Sequence, residues 1–292
     1  IAAFAFVEAV ERAVRSAVAQ GIVVVVAGGN YGSNAAGKEA YGTISSPGHE
    51  PSVITVGSLN LKGTTGRSDD VVNKFSSRGP TRGRVVTSAG VQIDNLLKPD
   101  LVAPGNRIVS ALGEDTAAAG GAWNALAAKH ASLTTVSGST QAQDKALMML
   151  SGTSIAAPVV SGTVALMLQA NPGLTPPLIK AILQYSAQPL PGANLLQQGA
   201  GMINADGAVR LARALRTDIK SAVEAGTIAA GANLLASGKS IPAKTSTING
   251  QTFAWSRIVY VGGAQLVSGD ALFSRYQPVW DHRLVWAGHA AR

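Results

Sequence analysis

The sequence predicts an α/β domain built on a parallel sheet, followed by a small β-rich appendage. Three observations carry this reading: a helical pattern that runs into a buried strand, further short strands that end in glycine-rich segments, and a change of composition near residue 216. Val7, Val10, Val14, Ala17 and Val18 recur at three- and four-residue spacing, the apolar face of an amphipathic helix. Gly21 stands where a helix-ending glycine belongs. Ile22 to Val26 is an unbroken β-branched run, the pattern of a strand buried on both faces. A helix, a one-residue turn and a buried strand are part of a βαβ unit.

The elements that follow fit that plan. Ser46-Pro47-Gly48 is a turn, and Val53 to Val56 a second strand. Residues 98–105 form a loop with a short extended piece, and Ile108 to Leu112 is another strand. Residues 113–143, rich in Ala, Gly, Ser and Thr, read as a surface insertion, and Ala146 to Leu150 as a strand. The helix that opens at Gly152-Thr153-Ser154 and runs to Ala170 is apolar nearly all round, which predicts a central position. Asn171-Pro172-Gly173 ends it, and Thr175 precedes Pro176-Pro177 as the N-cap of the next helix. Asn204 or Asp206 caps a last short helix that ends near Leu215. Residues 217–250 are then polar and 253–287 aromatic and β-prone, which divides the chain into 1–215 and 216–292.

Composition narrows the function. With 46% hydrophobic and 14% charged residues in 292, the chain is globular, not disordered. There is no cysteine, which excludes disulfides and thiolate metal sites. The net charge of +8 is scattered, without a run of five basic residues or interleaved aromatics, so no nucleic-acid partner is expected. The longest nearly apolar stretch, Ala156 to Ala170, falls short of the roughly 20 residues of a membrane span. The chain starts at Ile1 inside a helical pattern and without Met, so an upstream segment is expected.

The chemistry concentrates in four segments. In Gly152-Thr153-Ser154-Ile155-Ala156-Ala157-Pro158 a serine follows a strand and a glycine and opens a buried helix. Unpaired N–H groups and the positive end of the helix dipole favour negative charge there. Alone, such a serine is more often an N-cap than a nucleophile. Ala27-Gly28-Gly29-Asn30 ends a buried strand, where ligands gather in open α/β sheets. A carboxamide there donates to an oxyanion or simply closes a turn. Ser46 to Gly57, and Phe75 to Pro80 with Lys98 to Gly105, are uninformative singly.

In this order and spacing the four segments resemble the subtilisin-like serine proteases, the subtilases, from about Ala9 to Leu215. Gly199-Ala200-Gly201-Met202-Ile203-Asn204-Ala205 is similar to the family's closing motif. The resemblance implies a three-layer fold, a mostly parallel sheet with helices on both faces, of which the N-terminal part is missing. It implies Ser154 as nucleophile and Asn30 as oxyanion donor. Ala27, Gly28 and Gly29 would form one wall of the substrate pocket, with Ser46 and Pro47, a frequent cis proline of the family, near its floor. It further implies a polypeptide substrate, a secreted or extracytoplasmic setting, and no cofactor apart from calcium in some members, for which no ligand set is identified.

The sequence departs from the family in one respect. The Asp-Ser/Thr-Gly and His-Gly-Thr-His motifs, which precede the oxyanion Asn and supply the other two members of the triad, are absent. None of His49, His130, His282 and His289 stands in a context that places it against Ser154. The expected partner is therefore the missing N-terminal half, and the chain alone is expected to be inactive. The alternative is a non-catalytic subtilase-like binding or scaffold protein. An α/β-hydrolase is disfavoured because Ala156 replaces the second glycine of its Gly-x-Ser-x-Gly motif.

Overall fold

The computed structural model describes residues 2–87, 90–113, 124–139 and 146–284. Helix α1 (Ala2–Ala19) closes in a Schellman turn: the Gly21 N–H bonds Val18 O at 2.8 Å and the Ile22 N–H bonds Ala17 O at 3.1 Å. Strand β1 (Val25–Ala27) then pairs in parallel with β2 (Ile54–Asn60), Val25 opposite Ile54. Strand β3 (Val71–Val72) adds antiparallel to the end of β2, and β4 (Arg84–Thr87) and β5 (Gly90–Ile93) form a separate hairpin. Strand β6 (Leu101–Pro104) runs parallel to β2 on its other side, Val56 opposite Leu101. Beyond β6, a bridge from Val102 to Met202 covers that edge.

Strands β7 (Ile108–Ala111) and β8 (Leu147–Leu150) pair with each other outside the main sheet. Between them, the described part of the insertion holds α2 (Ala125–Lys129) and one 3₁₀ turn, neither of which buries a residue. Helix α3 (Thr153–Ala170) crosses β1, β2 and β6. Helices α4 (Pro176–Ser186), α5 (Leu195–Gln198) and α6 (Ala205–Ala214) follow, with α6 packed on both α3 and α4.

One expectation needs correction. The β-branched run was expected to form a strand buried on both faces from Ile22. It is hydrogen-bonded as a strand only from Val25, its three residues are half-buried, and Ile22 is 56% exposed. The cause is topological: one edge of β1 is paired with β2, and no described strand meets the other. Helix α3, apolar nearly all round, takes the central position expected of it against β1, β2, β6 and α6, yet only a third of it is buried. Ala156, Val160, Val164 and Met167 face the core, whereas Pro158, Ala165 and Leu166 face solvent, Leu166 at 50% exposure. By length and composition α3 is also apolar enough to cross a membrane, a test that a core helix passes equally.

The caps resolve an ambiguity. Asn204 Oδ1 accepts the Gly207 N–H at 3.1 Å and caps α6, while Asp206 pairs with Arg210. Thr175 is at the N-cap position of α4, but its hydroxyl accepts no helix N–H and instead donates to Trp280 O at 2.6 Å.

That bond belongs to the tail: α7 (Ile219–Glu224), the hairpin of β9 (Thr245–Ile248) and β10 (Gln251–Ala254), a second hairpin of β11 (Ile258–Val261) and β12 (Gln265–Ser268), and α8 (Ala271–Ser274). Its aromatics share the core of α4. Tyr185 meets Phe273 edge-on at 4.8 Å and Trp255 at 6.3 Å, and Phe273 stacks on Trp280. The change of composition at residue 216 therefore coincides with the end of α6, and packing runs across it.

Candidate active site

Three parallel strands, β1, β2 and β6, run side by side, and the loops leaving β1 and β6 meet the start of α3. The Gly28 N–H bonds Val56 O at 2.8 Å, continuing the β1–β2 ladder by one residue. The chain then turns at Gly29, whose φ of +107° and whose contact with Ser45 Oγ leave no room for a β-carbon. The Ser77 N–H bonds Gly29 O and the Ser45 N–H bonds Gly28 O, both at 2.9 Å, so two neighbouring loops brace the turn. On the other side, the Gly152 N–H bonds Gly105 O at 2.8 Å and fastens the start of α3 to the end of β6.

Thr153 and Asn30 lock these two halves together. Asn30 Oδ1 accepts from the Thr153 N–H at 2.9 Å and from the Thr153 hydroxyl at 3.0 Å. The Thr153 Oγ1 in turn accepts the Gly29 N–H at 3.1 Å. Because a backbone N–H can only donate, the Thr153 contact assigns the carboxamide: Oδ1 faces Thr153 and Nδ2 faces away. Nδ2 has no partner among the described residues. The same holds for the Ser154 N–H, in the first turn of α3, and for the Ser154 hydroxyl, which is exposed.

Gly152 explains why the two free N–H groups stay accessible. Its backbone, φ +156° and ψ +161°, lies in a region that is essentially glycine's own. A β-carbon there would sit 3.5 Å from Asn30 Nδ2 and 3.7 Å from the Ser154 N. A side chain at Gly152 would therefore lie against both donors and obstruct the approach to them.

The cleft in front of these groups has a volume of about 460 Å³ and is lined by Val26, Ala27, Gly29, Asn30, Tyr31, Ser45, Ser46, Pro47, Thr153 and Ser154. Of the residues singled out in the sequence, Ala27, Gly29, Asn30, Ser46, Pro47 and Ser154 meet here. Gly28 does not; it is buried behind the wall, against Val56 O. The Ser46–Pro47 peptide is cis. Val26, Tyr31, Ser45 and Thr153 were missed. The one available signal was for Thr153, whose place between Gly152 and Ser154 puts a hydroxyl at the start of the helix.

Among the described residues no Asp, Glu, Lys, Arg or His lines the cleft. Three of the histidines are accounted for elsewhere. His130 ends α2 on the insertion, and His282 is in the tail, 3.7 Å from Glu224. His49 is on the loop behind the cleft, with Nε2 2.5 Å from Ile44 O and Nδ1 3.5 Å from Glu11 of α1. His289 is outside the described residues.

His49 gives the cleft a pH-dependent brace. Burial opposes its charge, but the bonds to Glu11 and Ile44 O prevail, so its pKa is raised above 6.5. A raised folded pKa contributes stability that is complete below the unfolded pKa and is lost as pH rises through the folded one. His49→Gln is therefore expected to lower the melting temperature more at pH 5.5 than at pH 8.5. Equal losses at the two pH values would show that the pair carries no charge-dependent stability.

A model of the subtilase family matches residues 4–202. Serine protease AprX of Bacillus subtilis is 35% identical over 198 residues, covering 68% of this chain and 37% of its own length. An extracellular protease of Xanthomonas campestris pv. campestris is 31% identical over 203 residues, covering 69% of this chain and 26% of its own. Among solved structures, fervidolysin of Fervidobacterium pennivorans, a keratinolytic enzyme related to subtilisin, aligns at 25% identity with a TM-score of 0.46, over 68% of this chain and 24% of that one. The chain thus spans little more than a third, or less, of the curated relatives it matches. With the family model covering more than half of the sequence, the chain belongs to the subtilase family.

Proposed function

We propose that this chain carries the nucleophile and the oxyanion site of a serine endopeptidase. One observation carries the reading: Ser154 and Asn30 line one cleft, and among the described residues the Ser154 hydroxyl, the Ser154 N–H and Asn30 Nδ2, the two N–H donors lying on either side of the bare Gly152, have no partner. The Ser154 hydroxyl attacks the carbonyl carbon of a polypeptide bound along the cleft. As the carbonyl becomes tetrahedral, its oxygen takes up negative charge, and the two N–H groups stabilise it without reorganising, because Thr153 already holds the carboxamide. Ala27 and Gly29 form one wall of the pocket for the residue before the scissile bond; Ser46 and Pro47 form part of its floor.

The proton of Ser154 must pass to a histidine that an aspartate orients. In this reading both come from polypeptide that also completes the sheet along the open edge of β1 and adds the remaining helix layer, giving the three-layer fold. Among the described residues no group of three or more His, Cys, Asp or Glu side chains comes together. A secreted or extracytoplasmic location follows by analogy with the family and is tested by cell fractionation.

Asn30→Ala, made in the complete enzyme, tests the oxyanion role. The expected result is a fall in kcat of about 10²–10³-fold with little change in KM, the size of loss known for the corresponding change in subtilisin, a family relative. A raised KM at normal kcat would make Asn30 a substrate-binding residue instead.

A further inference from the structure

Phe75 to Pro80 lines no part of the cleft, yet it runs directly alongside the loop that carries Asn30. Three hydrogen bonds join the two segments. The Ser77 N–H donates to Gly29 O at 2.9 Å, the Tyr31 N–H donates to Ser77 Oγ at 3.1 Å, and the Gly32 N–H donates to Phe75 O at 2.8 Å. Ser77 therefore holds both the residue before Asn30 and the residue after it. It is fully buried, and the fit is close: a β-carbon on Gly29 would sit 2.7 Å from Ser77 Oγ, and one on Gly32 would overlap Ser76 O.

Ser77 is itself fixed on both flanks. Ser76 Oγ accepts the Ser58 N–H of β2 at 2.9 Å, and Asn73 Nδ2 donates to Ser58 Oγ at 2.8 Å. On the other side the Arg78 N–H donates to Thr43 Oγ1 at 3.0 Å, while the Thr43 N–H donates to Arg78 O at 2.9 Å. Ser58, Asn73, Ser76 and Arg78 are all buried. The Ser77 hydroxyl thus stands on a braced segment, which a supporting group needs if it is to hold another in place.

Thr153 alone leaves the aim of Asn30 incomplete. It fixes Oδ1 and, through the Gly29 N–H, the chain before Asn30. The peptide that joins Asn30 to Tyr31 is held through its N–H by Ser77 Oγ, and Tyr31 itself is 67% exposed. Without that bond the peptide can turn toward water, and turning it changes the backbone from which the Asn30 side chain projects.

We propose that Ser77 is a positioning residue of the oxyanion site, its N–H and hydroxyl clasping the chain on both sides of Asn30 so that Nδ2 keeps its aim. The inference rests on the peptidase reading above and extends it to a residue outside the cleft lining. Electrostatic stabilisation depends on donors that are in place before the charge develops. A donor free to swing must be brought back in every turnover, so the loss falls on kcat. Binding of the ground state relies on the walls of the cleft and is left largely as it was.

The test is a double-mutant cycle in the complete enzyme: Ser77→Ala, Asn30→Ala and the two together. Each is read by peptide kinetics, by inhibition with a peptide aldehyde and by thermal melting. The serine hydroxyl adds across the aldehyde carbonyl to give a hemiacetal, whose oxygen reports on the oxyanion donors. Ser77→Ala is expected to lower kcat by about 10- to 100-fold, less than Asn30→Ala, with KM within about twofold of its original value. Its Ki for the aldehyde should rise in proportion. In the Asn30→Ala background the same change is expected to alter kcat by less than about twofold, because no carboxamide is left to aim. A merely structural role moves the melting temperature but does not produce this non-additivity. Should Ser77→Ala fail to fold, Ser77→Cys, which fills nearly the same space with a weaker acceptor, takes its place in the cycle. Equal losses of kcat in both backgrounds, or no loss in either, would overturn the proposal while leaving Asn30 as the oxyanion donor. An unchanged kcat in Asn30→Ala alone would overturn it together with the oxyanion reading on which it rests.

Discussion

Expressed alone, residues 1–292 are expected not to hydrolyse peptides at a useful rate, and to gain turnover when a segment bearing the family's Asp and His motifs is supplied as a second chain. A serine hydroxyl is a weak nucleophile until a base accepts its proton. Among the described residues none is placed to do so: His49 is committed to Glu11 and Ile44 O, and His130 and His282 stand on the insertion and the tail. The oxyanion donors remain, so carbonyl binding and background catalysis survive, but loss of the base alone costs about 10⁶ in rate in a related triad. The same chain is expected to self-associate. Among the described residues one edge of β1 is unpaired, the solvent side of α3 presents Pro158, Ala165 and Leu166, and Ile22 is exposed. Unpaired strand edges and contiguous apolar faces promote association. Gel filtration should show oligomers of the lone chain and a smaller species once the second chain is added. Brisk hydrolysis by monomeric 1–292, abolished by Ser154→Ala, would place a base within this sequence, with His49 and His130 the first two to mutate.

The parts of the site that depend on local chain geometry were readable in advance. Gly152 and Gly29 stand where the backbone must leave the usual regions, and such positions reveal themselves as glycines in the sequence. Asn30 stood out because a carboxamide follows a strand directly. What could not be read is the partnership across 123 residues between its Oδ1 and Thr153, since a threonine next to a serine is commonplace until the two loops are brought together. The strand from Ile22 to Val26 fails differently. Its residues are suited to burial on both faces, but burial is decided by neighbours, and no described strand lies along that edge. Thr175 reads as an N-cap from its spacing to Pro176, yet its hydroxyl serves Trp280 O, a contact that only the fold of the tail creates. Likewise the tail reads as an appendage because its composition changes, while Trp255, Phe273 and Trp280 enter the core of α4.

In the complete enzyme, Ser154→Ala is expected to remove nearly all turnover, by about 10⁶-fold in kcat, the loss known for the nucleophile of subtilisin, a family relative. The size of the effect follows from the way the site is divided. Removing the hydroxyl ends the covalent path, and the remaining members of a triad then have nothing to activate. What persists is the part of the barrier lowered by Asn30 Nδ2 and the N–H of residue 154, a backbone donor that alanine retains. The substitution should therefore leave KM close to its original value. It should also leave the fold intact, because the Ser154 side chain is exposed and its hydroxyl makes no hydrogen bond among the described residues. That separates it from Thr153, whose hydroxyl both accepts from Gly29 and donates to Asn30. Thermal melting and peptide kinetics on the same preparations decide the matter. A fluorophosphonate should label the wild type at Ser154 and leave the variant unlabelled. Unchanged kcat in the variant would end the assignment of Ser154 as nucleophile, and a large fall in melting temperature would recast it as a residue that the start of α3 needs for folding.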